Sequence, residues 1–463
     1  MAMILSRVLL MSIVFWSVSV LGQNKFTEVQ LPSRSTENYW IVPDDEGNLC
    51  IQYFKKPYLY FKLIDSRGEL VEEIKEPFKY RPEVFAGGYS NGKFNFYYRP
   101  RSKKKEGDLG AFSIHSSSRE YTQQRHDIRA SKSEDFIGHF IGDNGVYLMI
   151  SVRGGNLIRI AKLDGGMKPE VKNFTAPALI EKAFSAQYPL LFVNPLAPKS
   201  VYSFQSTRKV FFENDRFYFT FDHPEQFKTF IWEVDWEENT SGLRSIPEKK
   251  LVFGTSSNSY IHQGNLYRFT VDQVKIDLSI YDLISGDSLT TYTHTGETKI
   301  PFQSGPINFI DEFGTQNRIQ TMRNDKLFKQ LSNGNAAVFV ERINNSNAKV
   351  TLGAFNEVST GLSIGGGFGS FGRAGGVSIG GSRQLTGTRR GSTFIHTYLT
   401  SPHLELSGDN EDLLTPNERI FRYLDKNRRN ITVSKVYSYD EDRIHLAYID
   451  YNEAKLQIIE FSR

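Results

Sequence analysis

Cysteine is nearly missing from this chain. Cys50 stands alone among 463 residues, which excludes an intramolecular disulfide framework. It lies in the apolar run Leu49-Cys50-Ile51, where a small buried hydrophobe is expected rather than a reactive thiol. A dominant charge is also lacking. The net charge is +4, too small for its length to argue for nucleic acid as a partner. No long apolar run follows residue 22, so no membrane span is expected in the mature protein. Catalytic signatures are missing as well. The nine histidines are scattered, with no H-E-x-x-H pair, and there is no G-x-S-x-G elbow, which leaves metalloprotease and serine-hydrolase chemistry unsupported. Neither a phosphate-binding P-loop nor a dinucleotide fingerprint opening a helix occurs. The acidic run Asp409-Asn410-Glu411-Asp412 lacks EF-hand spacing and reads as a solvated loop. No metal site and no cofactor is expected.

What is present begins with a signal peptide over residues 1–22. Arg7 supplies the basic start, Val8 to Leu21 is apolar apart from three serines, and Val20 and Gly22 are small enough for cleavage before Gln23. No Cys lies just after the apolar run, so no lipid attachment is expected. The mature chain is expected to be exported and periplasmic, cell-surface-associated or secreted.

Aromatics are plentiful, with 35 Phe and 23 Tyr, a bias that suits strands. A repeated unit carries them. Its first turn occurs as Asp45-Glu46-Gly47-Asn48, Ser90-Asn91-Gly92-Lys93, Asp143-Asn144-Gly145-Val146 and Glu213-Asn214-Asp215-Arg216. It returns as His262-Gln263-Gly264-Asn265, Ser332-Asn333-Gly334-Asn335 and Asp440-Glu441-Asp442-Arg443. Asn, Asp and Gly tolerate the positive φ of tight hairpins. An apolar strand follows each turn, as in Leu49–Phe54, Phe217–Phe221 and Ala336–Glu341, which fits strands covered on both faces. A second turn closes the following strand, as in Ile280-Tyr281-Asp282-Leu283-Ile284-Ser285-Gly286.

Four-stranded units at roughly 40–50 residues mark a β-propeller. The intervals between first turns are 45, 53, 70, 49, 70 and 108 residues, so the longer ones require insertions. The predicted fold is all-β, a propeller of about seven four-stranded blades, with six to eight compatible, filling residues 23–463 as one domain. The last unit has only three strands, and Phe26–Leu31 before the first unit alternates with period 2. Pairing the two would close the ring and remove an open edge. At this level the chain resembles the β-propeller superfamily. The phrase Tyr281-Asp282-Leu283-Ile284-Ser285-Gly286 is similar to the Asp-x-x-Thr-Gly turn of quinoprotein-type repeats, without the Trp those repeats carry soon afterwards. The resemblance implies a shape and no activity.

Several stretches interrupt the repeat. Residues 176–191 and 316–330 have helix-like composition. A helical insertion is predicted over 414–427, where Thr415 caps, Pro416 opens, Glu418 completes a capping box, and Ile420, Phe421 and Leu424 give an apolar stripe. A Gly-rich insertion spans 358–392, with 10 glycines between Gly361 and Gly381, and reads as a surface loop.

In a propeller, the loops between second and third strands share a face with the connections between blades. Over units one to three those loops carry Lys55, Lys56, Lys79, Arg81, Arg99, Arg101, Lys103, Lys104 and Lys105, with Arg125, Arg129, Lys132 and Arg153. In later units they carry Asp222, Glu225, Asp272, Asp450 and Glu453. One sector is therefore expected to be basic, with an acidic sector opposite. The candidate ligand contacts are Lys55, Lys56, Arg99, Arg101, Lys103, Lys104, Lys105, Arg125, Arg129 and Arg153, facing an anionic glycan or polymer. The leading expectation is a binding module for such a ligand or for a protein. The alternatives are a hydrolase or lyase of carbohydrate or ester chemistry in the central funnel, and a structural subunit of an envelope complex.

Overall fold

The fold is that of a computed structural model. It describes residues 23–462 except 32–37, 100–108, 127, 129–132, 143–144, 153–154, 167, 179–189, 195–196, 198, 224–227, 248–254, 297, 312–317, 323, 345–346, 361–386, 401–403, 408–413, 428 and 439–442. Seven sheets follow one another along the chain, five of four strands and two of five, antiparallel throughout except where Leu191–Phe192 pairs in parallel with Arg208–Glu213. Blade 1 (Tyr39–Pro43, Leu49–Lys55, Tyr58–Ile64, Leu70–Pro77) shows the plan. Its two middle strands are almost wholly buried and its last strand is largely exposed, so burial decreases towards the rim.

The core lies between blades rather than inside any one of them. One apolar cluster joins Phe61 of blade 1 to Phe96 of blade 2, and another joins Tyr97 of blade 2 to Leu148 of blade 3. Further clusters join Met149 of blade 3 to Trp232 of blade 4, and blades 4, 5 and 6 around Ile231, Phe269 and Val338. A last one joins Tyr53 of blade 1 to Ile458 of blade 7. A sheet covered on both faces by its neighbours is the propeller arrangement.

The ring closes as the two chain ends suggested. Gln23–Gln30 pairs antiparallel with Lys455–Ser462 and becomes the outermost strand of blade 7. Blade 1 grips it from the side: Thr27 Oγ1 donates to the Gly68 carbonyl at 2.6 Å, and Lys62 Nζ donates to the Gln30 carbonyl at 3.2 Å. Gly68 has φ +86°, and a Cβ there would meet the Phe26 carbonyl oxygen at 2.3 Å, so this contact requires glycine.

The first-turn motif lies at the expected hairpin in blades 1, 2, 4 and 5. Asn91, Gly92, Asn214, Asp215, Gln263 and Gly264 all have positive φ, as two-residue primed turns demand. The second turn is held by aspartate. Asp65 Oδ1 accepts from the Arg67 and Glu69 N–H groups, and Asp282 Oδ1 from those of Ile284 and Ser285. Cys50 is buried as expected, and burial raises its thiol pKa.

Blade 6 departs from the prediction. Ser332–Asn335 is no hairpin there, because helix α2 (Asn324–Ser332) precedes it; α1 is the single turn Val201–Phe204. Asn335–Asn344, containing the run Ala336–Glu341, is therefore the innermost strand rather than the second. The blade continues through Asn347–Thr360 and Gly387–Thr400, and its outer strands Ser304–Asp311 and Arg318–Met322 come from the chain upstream. Within the helix expected over 316–330, Arg318–Met322 is thus strand. The Gly-rich insertion is also shorter than read, since the ladder runs to Thr360↔Gly387. Its remainder, like residues 179–189 and the turn at Asp440, lies outside the described residues.

Helix α3 (Pro416–Lys426) has the predicted capping box: Thr415 Oγ1 accepts from Glu418 N–H at 3.2 Å, and Thr415 N–H donates to Glu418 Oε2 at 2.9 Å. The apolar stripe needs one correction. Ile420 is buried against Leu446 and Phe461, but Phe421 is 51% exposed. Phe421 lies one residue, about 100°, round the helix from Ile420, whereas Tyr423 and Leu424 share its face; they are the residues that pack there.

Candidate functional site

Strand polarity places the described basic residues on one face. Lys55 and Lys56 lie at the hairpin between the second and third strands of blade 1, and Lys79 and Arg81 in its connection to blade 2. Arg99 ends the second strand of blade 2 (Lys93–Arg99), and exposed Arg125 lies near the end of its fourth (Tyr121–His126). Arg101, Lys103, Lys104, Lys105, Arg129 and Arg153 lie outside the described residues.

The face combines these cations with aromatic rings. Lys75 Nζ lies 4.1 Å from the ring centroid of Tyr58, and Lys79 Nζ lies 5.3 Å from that of Tyr80, which is 65% exposed. The tightest assembly is at the inner end, on the innermost strands of blade 2 (Glu83–Ser90) and blade 3 (Glu134–Gly142). Arg99 Cζ stands 4.1 Å from the centroid of Phe136 and 5.4 Å from that of Phe85. Phe85 packs edge-on against Phe136 at 6.0 Å and against His139 at 5.6 Å.

Both strands are irregular at this height. The ladder skips a residue between Val84 and Ala86, which leaves Phe85 without a partner, and another between Phe136 and Gly138. A β-bulge re-aims side chains without ending the strand, and bulges recur beside functional sites. Two adjacent bulges thus gather Phe85, Phe136 and His139 under one guanidinium. Burial first, and the Arg99 charge second, hold His139 below the ordinary imidazole pKa, so the ring is neutral near pH 7. A further cation is Lys435, on the innermost strand of blade 7 (Ile431–Ser438). Its Nζ lies 4.1 Å from the Trp40 ring of blade 1 and donates to the Tyr39 carbonyl, and burial lowers its pKa to about 8.

The acidic sector expected opposite is not built as read. Asp222 and Asp272 are 6% and 3% exposed, because each carboxylate is spent inside the protein. Asp272 Oδ1 accepts from the Val274 and Lys275 N–H groups. Asp222 accepts from Ser259 N–H at 2.9 Å, Ser259 Oγ at 3.0 Å and Thr229 Oγ1 at 2.7 Å. Glu225 lies outside the described residues. Asp450 and Glu453 remain at a surface loop, where Asp450 caps the turn and Glu453 pairs with Lys455.

Sequence reasoning missed Phe85, Phe136 and His139. A bulge leaves no mark in an alternating pattern, although Gly138 within the innermost strand of blade 3 is the kind of residue that accompanies one. Among the described residues, no three His, Cys, Asp or Glu are grouped to hold a metal ion, and no helix is long and apolar enough to cross a membrane.

No protein-family model and no curated protein matches the chain. Among solved structures, a mutant of Synechocystis apocarotenoid oxygenase is 11% identical over 62% of this chain and 65% of its own length, with a TM-score of 0.29. Kuenenia stuttgartiensis hydrazine synthase is 10% identical over 70% of this chain and 78% of that one, with a TM-score of 0.29. Likenesses of that size carry no functional argument.

Proposed function

We propose that this is an exported ligand-binding propeller that takes an acidic glycan or similar anionic polymer on the face over blades 1–3, with Arg99 as the central contact. The observation that supports the reading is the guanidinium of Arg99 resting on Phe136, which is 37% exposed. Stacking uses the face of the guanidinium plane, while its N–H donors lie along the edge, in the fork that matches carboxylate, sulfate or phosphate. The ring also restrains the side chain, which reduces the ordering cost of binding. Half-exposed Phe136 and exposed Tyr80 supply apolar platforms beside the cations, an arrangement suited to a sugar ring bearing an acidic group.

Titrating the mature chain against heparin or polygalacturonate tests this. Affinity is expected to fall steeply with added salt, as charge-driven contacts are screened. Arg99→Ala should weaken binding about tenfold, worth ~1.4 kcal/mol. Equal binding to an uncharged polymer, or no effect of either salt or the substitution, would refute the reading.

Export rests on the basic and apolar segment before Gln23. The first strand begins at Gln23 itself, so cleavage after Gly22 would spare the closing ladder. Expression in a secreting host should yield a chain whose N-terminal sequence starts Gln23-Asn24-Lys25. Retention of residues 1–22 on the exported protein would contradict this.

A further inference from the structure

A groove of about 570 Å3 lies on the same face but over blades 5 and 6. One wall is the hairpin between the second and third strands of blade 5 (Asn265–Val271, Lys275–Asp282). Asp272 Oδ1 accepts from Val274 N–H at 2.8 Å and Lys275 N–H at 2.7 Å. That pair of bonds holds the turn and projects Val274, 61% exposed, into solvent beside Gln273. The other wall is α2, which presents Phe328, Lys329 and Ser332, with Asn333 just beyond its end. Leu327 and Leu331 are fully buried and anchor the helix, and the Gln330 carbonyl accepts from Asn356 Nδ2 at 3.0 Å. Both walls are therefore pre-formed. Beneath Phe328 lies His294, stacked at 5.7 Å and only 4% exposed, with no hydrogen-bond partner at Nε2. A buried nitrogen without a partner is costly to leave so.

We infer that this groove is a second binding site, separate from the anion-binding face, and that it takes a pyranose ring of a neutral glycan. The volume is in the range of small-ligand sites. Phe328 and Val274 offer an apolar surface for the C–H face of a sugar. The amides of Gln273 and Asn333 and the hydroxyl of Ser332 each donate and accept, as sugar hydroxyls require. Lys329 stands in the last turn of α2, where the partial negative charge of the helix carbonyls weakens its pull on an anion. The site shares no residue with the cluster around Arg99 and does not depend on that reading.

The test is binding of cellobiose, maltose and N,N′-diacetylchitobiose to the mature chain, by saturation-transfer NMR and calorimetry. At least one disaccharide is expected to bind, and Phe328→Ala and Gln273→Ala should each weaken it about tenfold. Val274→Asp alters an exposed loop tip and should abolish binding without unfolding the protein, which keeps the test decisive if Phe328→Ala folds poorly. Arg99→Ala should leave disaccharide binding unchanged. No binding of any of the three at ~10 mM, well above the concentrations at which specific sites fill, would overturn the proposal, as would binding that survives Val274→Asp.

Discussion

Replacing Asp222 by alanine is expected to destabilise the protein by ~3–5 kcal/mol, the usual consequence of removing one partner from a buried ion pair. Asp222 and Lys209 both have fully buried side chains, 4.0 Å apart. The contact is electrostatic without a direct hydrogen bond. Lys209 Nζ instead donates to Asn258 Oδ1 at 2.8 Å, and that oxygen also accepts from Val338 N–H at 3.2 Å. Asn258 Nδ2 donates to the Ser206 carbonyl at 3.1 Å. Lys209 lies on Arg208–Glu213 of blade 4, whose inner edge carries only the two-residue strand Leu191–Phe192, Asn258 and Ser259 on the innermost strand of blade 5 (Ser256–His262), and Val338 on that of blade 6. The node therefore ties three blades together near the axis. Without the carboxylate, Ser259 N–H and two hydroxyls lose their acceptor, and the ammonium is left buried without its counter-charge.

The pH dependence identifies the mechanism. Burial already lowers the Lys209 pKa to about 8, and Asp222 works against that shift. Removing Asp222 lowers it further, while the unfolded value stays near ~10.4. Between the variant's folded pKa and pH 8, only the variant's unfolded state binds more protons than its folded state, so only the variant gains stability as pH rises. The penalty should shrink as pH is raised from 7 towards 8 and then level off. Denaturant titrations at pH 7, 8 and 9 measure it. A loss below ~1 kcal/mol, the range of ordinary surface changes, would show that the node contributes little.

A chain lacking residues 23–31 is expected to lose still more. Val29 and Leu31 are 4% and 3% exposed, and burying such side chains contributes roughly 1.5–3 kcal/mol each. The antiparallel ladder with Lys455–Ser462 and the contacts from Thr27 and Lys62 are lost with them. Against a typical total stability of about 5–15 kcal/mol, this brings the ring to the edge of folding. It also exposes the strand Lys455–Ser462 as an open edge, which invites pairing with a second chain. Thermal melts should shift down by many degrees and light scattering should show aggregation. A synthetic peptide of residues 23–31 should reverse both by adding itself as the missing strand. A truncated chain that stays monomeric with an unchanged melting temperature would disprove the closure argument.

The repeat was legible wherever its signal is local. Asn91-Gly92 and Asn214-Asp215 adopt positive φ because few other residues do so cheaply, and such pairs stand out in a one-dimensional pattern. The capping box of α3 is equally local, since Thr415 and Glu418 serve each other across three residues. The closing strand was legible for a different reason: a unit one strand short and a spare alternating strand leave few ways to avoid an exposed edge.

What the sequence determined, then, is the existence of about seven units, their turn chemistry, the burial of Cys50 and the closure by the first strand, all set by interactions between near neighbours or by counting. Only the tertiary structure decided the order of strands in blade 6, where the outer strands come from upstream. It also turned Asp222 and Asp272 inward and assembled Arg99, Phe85, Phe136 and His139 at two bulges. These depend on which residues distant in sequence meet across a seam between blades. A charged residue reads as exposed until a partner from another blade makes its burial affordable, and that partner is visible only once the ring has closed.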